Sequence, residues 1–122
     1  GYFYYEARTD DMILTGGYNV SGLEVESVLL EHSKVREAAV VGTPDKDRGQ
    51  IVKAFVIPTA TEDKRDETTL ELQNFVKSQI SAFKYPRAVE FVDELPLTAT
   101  GKIQRGALRQ LERERAEKAG II

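Results

Sequence analysis

The chain alternates short apolar runs with polar joints, and the spacing inside each run predicts an element. "YFYY" (2–5) and "DDMIL" (10–14) read as two short strands around the joint "EARTDD". "TGGYNVSG" (15–22) has the density of glycine expected of a loop. "SGLEVESVLLEHSKV" sets Leu23, Val25, Val28, Leu29 and His32 at near-helical spacing. Ser21 is the expected N-cap of that helix, and Glu24, three residues on, completes a capping box. "VREAAVVGTP" reads as a strand ended by Gly42 and Pro44, "DKDRGQ" as a turn and "IVKAFVIP" as a second strand. After the polar loop "TATEDKRDE", the segment "TTLELQNFVKSQISAF" carries Leu70, Leu72, Phe75, Val76, Ile80 and Phe83, a helix with one buried stripe. "AVEFVDELP" is a third strand and "IQRGALRQLERERAEKAG" a highly charged last helix. The expected fold is α+β: a small mixed sheet with about three segregated helices packed on it, preceded by a short N-terminal β-hairpin. No internal repeat or low-complexity tract interrupts this order.

Composition narrows the picture. A length of 122 residues suits one domain with a modest core. A net charge of −3 argues against binding duplex nucleic acid, which needs a basic face to displace counterions. The absence of Cys excludes thiolate metal sites and cysteine nucleophiles, and the single His32 excludes a multi-histidine site. No metal-ligating residues are assigned in this chain. No apolar run approaches the roughly 20 residues of a membrane span, and no basic-then-apolar leader opens the chain. A cytoplasmic protein with no membrane or nucleic-acid partner is the expectation. The charge run "RQLERERAEK" reads as a solvated helix face held by i,i+4 pairs.

Four stretches carry candidate chemistry, each with a plainer reading beside it. In "LPLTATGKIQR" (95–105), Lys102 follows a glycine in a polar turn. A lysine amine there is a flexible point charge suited to phosphate oxygens, or simply an exposed loop residue. "TGGYNVSG" can line a narrow ligand arm, because glycines admit close backbone approach; it lacks the Gly-Lys-Ser/Thr ending of a P-loop and can equally be a turn. "ARTDD" offers Arg8, Asp10 and Asp11, a metal-binding or acid–base pair of carboxylates or, more simply, a hinge. "FKYPR" sets Phe83 and Tyr85 among Lys84 and Arg87, a platform for a base and its phosphates or a helix-to-strand joint with its cations at the surface.

Taken together and in order, these stretches resemble the C-terminal domain of the adenylate-forming superfamily: acyl-CoA synthetases, peptide-synthetase adenylation domains and luciferase. The resemblance covers essentially the whole chain. It rests on "PLTATGKIQR" (96–105), preceded in the right order by "RTDD" (8–11). "GYNVSGLEVES" and "KYPRAVEFVDELPLTATGKIQR" look most like benzoate- and aminobenzoate-CoA ligases.

Such enzymes join a carboxylate to ATP, release pyrophosphate, and then let CoA displace AMP. The resemblance implies that residues 1–9 end a large N-terminal domain or its linker, and that residues 10–122 are the small domain that rotates on it. The large domain would bind ATP, Mg²⁺ and the acid. This chain alone would bind none of the family's cofactors (ATP, Mg²⁺, CoA) tightly and would turn nothing over. Residue by residue, the resemblance makes Lys102 the adenylation lysine, Asp10 the hinge and Arg8 an ATP or AMP contact. It places Gly16, Gly17 and Tyr18 along the pantetheine arm of CoA, and Phe83, Tyr85, Arg87, Arg48 and Lys77 near the CoA nucleotide. Some relatives carry arginine where Asn19 stands, so Asn19 is given no role. Two other readings stay open: an adenylate-forming enzyme that does not use CoA (a peptide-synthetase adenylation domain or an acyl-AMP ligase), and a free-standing α+β ligand-binding module.

Overall fold

The structure is a computed structural model that describes residues 12–59, 65–82 and 84–121. The elements run β1 (Met12–Thr15), β2 (Tyr18–Ser21), α1 (Gly22–Leu29), β3 (Val35–Asp45), β4 (Gly49–Pro58), α2 (Arg65–Gln79), β5 (Ala88–Phe91) and α3 (Arg105–Lys118). This is the predicted α+β order. The expected strand "YFYY", Arg8, Asp10, Asp11, Phe83 and the proposed 1–9 boundary lie outside the described residues.

A short N-terminal hairpin is present as expected, and the stretch read as a loop forms its turn and second strand. "TGGYNVSG" is a two-residue turn followed by a strand, with Thr15 opposite Tyr18 and Met12 opposite Ser21. Gly16 and Gly17 both have positive φ (56° and 88°). Two consecutive residues with φ above zero suit a tight hairpin whose twist matches its strands, and glycine takes that backbone without strain. Ser21 then caps α1 as expected: its extended backbone precedes the helix and its Oγ accepts the Glu24 N–H at 3.3 Å. The Glu24 carboxylate turns to Lys84 Nζ instead, at 3.1 Å.

The main sheet has order β3-β4-β5, with β4 antiparallel to β3 and parallel to β5. Ala38 and Val40 of β3, with Val52, Ala54 and Val56 of β4, meet Val25 and Leu29 of α1, Leu72 and Val76 of α2, and Ile13 and Val20 of the small hairpin. The alternate residues Ala39, Val41 and Phe55 meet Leu95 and Leu108 on the other side. Helices therefore cover both faces, α1 and α2 on one and α3 on the other. Two covered faces explain why "AAVV" and "AFV" are unbroken apolar runs with no polar alternation. Val35 joins the first cluster despite its odd position, because the register shifts between Val35 and Glu37.

β3 does not end at Gly42. It continues through Pro44, which pairs with Gln50, to Asp45. β3 is an edge strand, and Pro44 has the same parity as Val40, whose N–H points off the sheet. A missing N–H on that side breaks no ladder bond. In α2 the buried stripe is Thr68, Leu72 and Val76, whereas Leu70, two residues from Leu72, is 57% exposed. His32 lies beyond the end of α1, with Nε2 at 2.9 Å from Glu71 and its ring edge-on to Phe75. Among the described residues no helix is long and apolar enough to cross a membrane.

Candidate functional site

Lys102 projects from a small, internally bonded hairpin between β5 and α3. Leu97 pairs with Ile103, the Thr98 N–H donates to the Lys102 carbonyl at 2.7 Å, and the Gly101 N–H donates to the Thr98 carbonyl at 2.9 Å. Gly101 sits at φ 88°. This is a three-residue loop closed by a glycine in the left-handed region, which explains why "TATGK" needs glycine at its fourth place. The Thr98 hydroxyl adds a bond from the Lys102 N–H at 3.1 Å. Behind the loop, Gln104 N–H donates to Pro96 O at 2.8 Å, and Ile103 packs beside Leu95 and Leu108. The backbone under Lys102 is thus held while its side chain is exposed. It borders an open groove of about 640 Å³ whose other wall includes Arg36, Glu37, Ile57 and Glu94.

The glycine turn lies at the other end of the β3–β4 hairpin. Gly16 N–H donates to the Arg48 carbonyl at 3.1 Å, in the β3–β4 turn. That turn is wound around Asp45, whose Oδ2 accepts the Asp47 and Arg48 N–H groups at 3.1 and 3.0 Å. Glu37 lines the Lys102 groove and Asp45 ends the same strand, about 26 Å away at roughly 3.3 Å per residue. Gly17 has nothing within 4 Å of where a Cβ would stand. Tyr18 is exposed beside it.

A third cluster joins Lys77, Tyr85 and Arg87. The ring of Tyr85 has Lys77 Nζ 4.2 Å and the Arg87 guanidinium 5.0 Å from its centroid. Gln73 Nε2 holds the connecting chain by donating to the Pro86 carbonyl at 2.9 Å. The structure therefore groups Lys77, Tyr85 and Arg87, and separately groups Gly16, Gly17 and Arg48. Among the described residues no group of three or more His, Cys, Asp or Glu is placed to hold a metal ion. The Mg²⁺ implied by the family's chemistry has no ligand set among these side chains, and the chain's own charge at the loop is the Lys102 ammonium.

Two buried carboxylates escaped the sequence reading. Glu26, 5% exposed, accepts the Val40 N–H at 2.9 Å and faces the Arg105 guanidinium, with Nε 2.6 Å from Oε2. Glu112, 4% exposed, lies inside the charge run that was expected to be solvated. It accepts the Thr43 hydroxyl at 2.9 Å and pairs with Lys53 at 3.0 Å and Arg115 at 2.9 Å. Glu90 shares both cations. The Arg115 hydrogen bond holds the Glu90 carboxyl below the usual carboxylate range, against partial burial and with help from Lys53. A usable signal existed: Glu26 and Glu112 occupy the apolar stripes of their helices, one residue after Val25 and four after Leu108.

The family model described as the AMP-binding enzyme C-terminal domain matches residues 24–102. The chain belongs to that family. It is 51% identical over 114 residues to the human mitochondrial acyl-coenzyme A synthetase ACSM4, covering 92% of this chain and 20% of that protein. The crystal structure of a Brucella canis acyl-CoA synthetase superposes with a TM-score of 0.84 at 51% identity, over 88% of this chain and 20% of that one. The anthranilate CoA ligase AuaEII, solved with anthranoyl-AMP, gives a TM-score of 0.82 at 43% identity, over 90% of this chain and 21% of that one. The chain thus spans about a fifth of the length of the relatives it matches.

Proposed function

We propose that this chain is the mobile C-terminal domain of an ATP-dependent acid–CoA ligase and acts with a large N-terminal domain. In the first half-reaction a carboxylate oxygen bonds to the α-phosphorus of ATP and pyrophosphate leaves. In the second, the CoA thiolate bonds to the acyl carbon and AMP leaves. Lys102 serves the first step by offsetting negative charge on the α-phosphate and the attacking carboxylate. The single observation that carries this reading is a stiff hairpin that presents a solvent-exposed lysine. Gly16, Gly17 and Tyr18 serve the second step along the pantetheine arm, and Tyr85, Lys77, Arg87, Phe83 and Arg48 contact the CoA nucleotide. A tyrosine face flanked by two cations suits a base and its phosphates. Arg8 contacts ATP or AMP and Asp10 is the hinge. The acid is an aryl or medium-chain carboxylate; the relatives include both acyl-coenzyme A synthetases and an anthranilate CoA ligase. We place the enzyme in the cytoplasm.

The test is Lys102→Ala in the full-length enzyme, with the two half-reactions assayed apart. Loss of a transition-state contact of this kind costs about 3–4 kcal/mol, so adenylation should fall roughly a hundredfold to a thousandfold. Thioester formation from supplied acyl-adenylate should stay near wild type. Equal losses in both steps would make Lys102 a structural residue.

A further inference from the structure

Arg105 opens α3 three residues after Lys102, and its partner comes from a different part of the fold. Its Nε and Nη2 both bond to the Glu26 carboxylate of α1. The same carboxylate accepts the Val40 N–H, which points off the free edge of β3. One buried side chain therefore ties three elements: the helix that follows the lysine loop, the helix on the opposite face of the sheet, and the sheet edge between them. A planar guanidinium meeting a carboxylate through two parallel bonds fixes direction as well as distance. The exit of the loop is also held by Ile103, packed beside Leu108, and by the Gln104 N–H on the Pro96 carbonyl. Arg105 thus adds an ionic anchor from α1 to the apolar and backbone contacts that hold the loop beside Lys102.

We infer that Glu26 and Arg105 are positioning residues for Lys102 in the adenylation step. This rests on the proposed role of Lys102. Their effect reaches the substrate only through the lysine: the pair sets where the loop leaves the sheet edge, and so where the ammonium arrives. An ammonium misplaced by about 1 Å loses much of its effect on the reacting phosphate.

A double-variant cycle in the full-length enzyme tests this. Glu26→Gln keeps the size and the acceptor for Val40 but removes the charge. Arg105→Lys keeps a charge but cannot span both carboxylate oxygens. Each should lower adenylation turnover about tenfold to a hundredfold with little change in the KM for ATP, and leave thioester formation from supplied acyl-adenylate intact. Combined with Lys102→Ala, neither should cost more than about a further twofold, because the group through which it acts is gone. If the losses multiply, or if the thioester step falls in parallel, the pair is structural only and the inference is overturned. Should Glu26→Gln yield no folded enzyme, Arg105→Lys carries the same cycle, since the Arg105 side chain retains 24% exposure and its replacement leaves no bare buried charge. If Lys102→Ala alone leaves adenylation unchanged, the role of Lys102 falls and takes this one with it. If Lys102→Ala disables adenylation and the cycle is multiplicative, only the positioning role falls.

Discussion

Gly17 shows how one dihedral angle decides what a substitution can report. A Cβ placed there has no described atom within 4 Å, but its φ of 88° penalises any L-residue. If Gly17 borders the pantetheine arm as proposed, a large apolar replacement would combine obstruction of that arm with backbone strain. Two replacements separate these effects. Asn tolerates the left-handed region better than Ala, by the local hydrogen bonds its amide can make, yet it is the larger side chain. Gly17→Ala should cost about 1–2 kcal/mol of stability and Gly17→Asn less, read as melting temperatures. Thioester formation should follow the opposite order, with Asn the more damaging, while adenylation stays unchanged in both. If the thioester rate instead tracks stability, with Ala the worse, Gly17 matters only for the turn and does not border the arm.

At the scale of elements, α3 was the least legible part of the chain. "RQLERERAEK" looks solvated because its charges alternate, yet the helix must cover one face of a sheet whose apolar residues point both ways. Leu108, Glu112 and Ala116 share one stripe, and the stripe faces β3 and β4. Glu112 is tolerated there because Lys53, Arg115 and the Thr43 hydroxyl meet it. Removing it leaves Lys53 half-paired and mostly covered, with a side chain 13% exposed. Glu112→Ala should therefore destabilise the domain by about 3 kcal/mol or more. Glu114→Ala, two residues away and exposed, with a side-chain bond to Gln110 at 3.1 Å, should change stability by less than about 0.5 kcal/mol. Chemical denaturation of the two variants side by side would check this, and equal small effects would mean that the network contributes no stability. The rest of the fold divides along the same line. Elements with a regular apolar period were legible, as was the Ser21 cap, because those signals are local. β2 was not, because a glycine pair reads as loop until its strands are known to pair. Nor was the extension of β3 through Pro44, which depends on lying at a sheet edge. Lys102 was legible through the "TATGK" turn and the motif around it. Glu26 was not, because a buried carboxylate is recognised only once its partner, 79 residues on, is in place.

On the scale of the whole molecule, the lysine loop borders Glu37 and the glycine turn bonds to Arg48, toward opposite ends of one long hairpin whose strand rises about 26 Å between Glu37 and Asp45. A single orientation against a partner surface would be hard pressed to present both to one reacting atom. The proposed rotation of the domain between two half-reactions would remove the difficulty, since each end would then face the substrate in turn. The same geometry has a consequence for the 122-residue chain alone. Its lysine borders an open groove, with ionic walls of both signs and no enclosing second surface. A lone ammonium in water offsets little transition-state charge, because the high dielectric weakens it and nothing holds the substrate in line. Purified by itself, the chain should release no pyrophosphate above background from ATP with benzoate, 2-aminobenzoate or octanoate, Mg²⁺ being supplied. The same assay with the full-length ligase should show turnover. Release by the isolated chain that also disappears on Lys102→Ala would mean that the catalytic site is complete within this domain, and the two-domain reading would have to be abandoned.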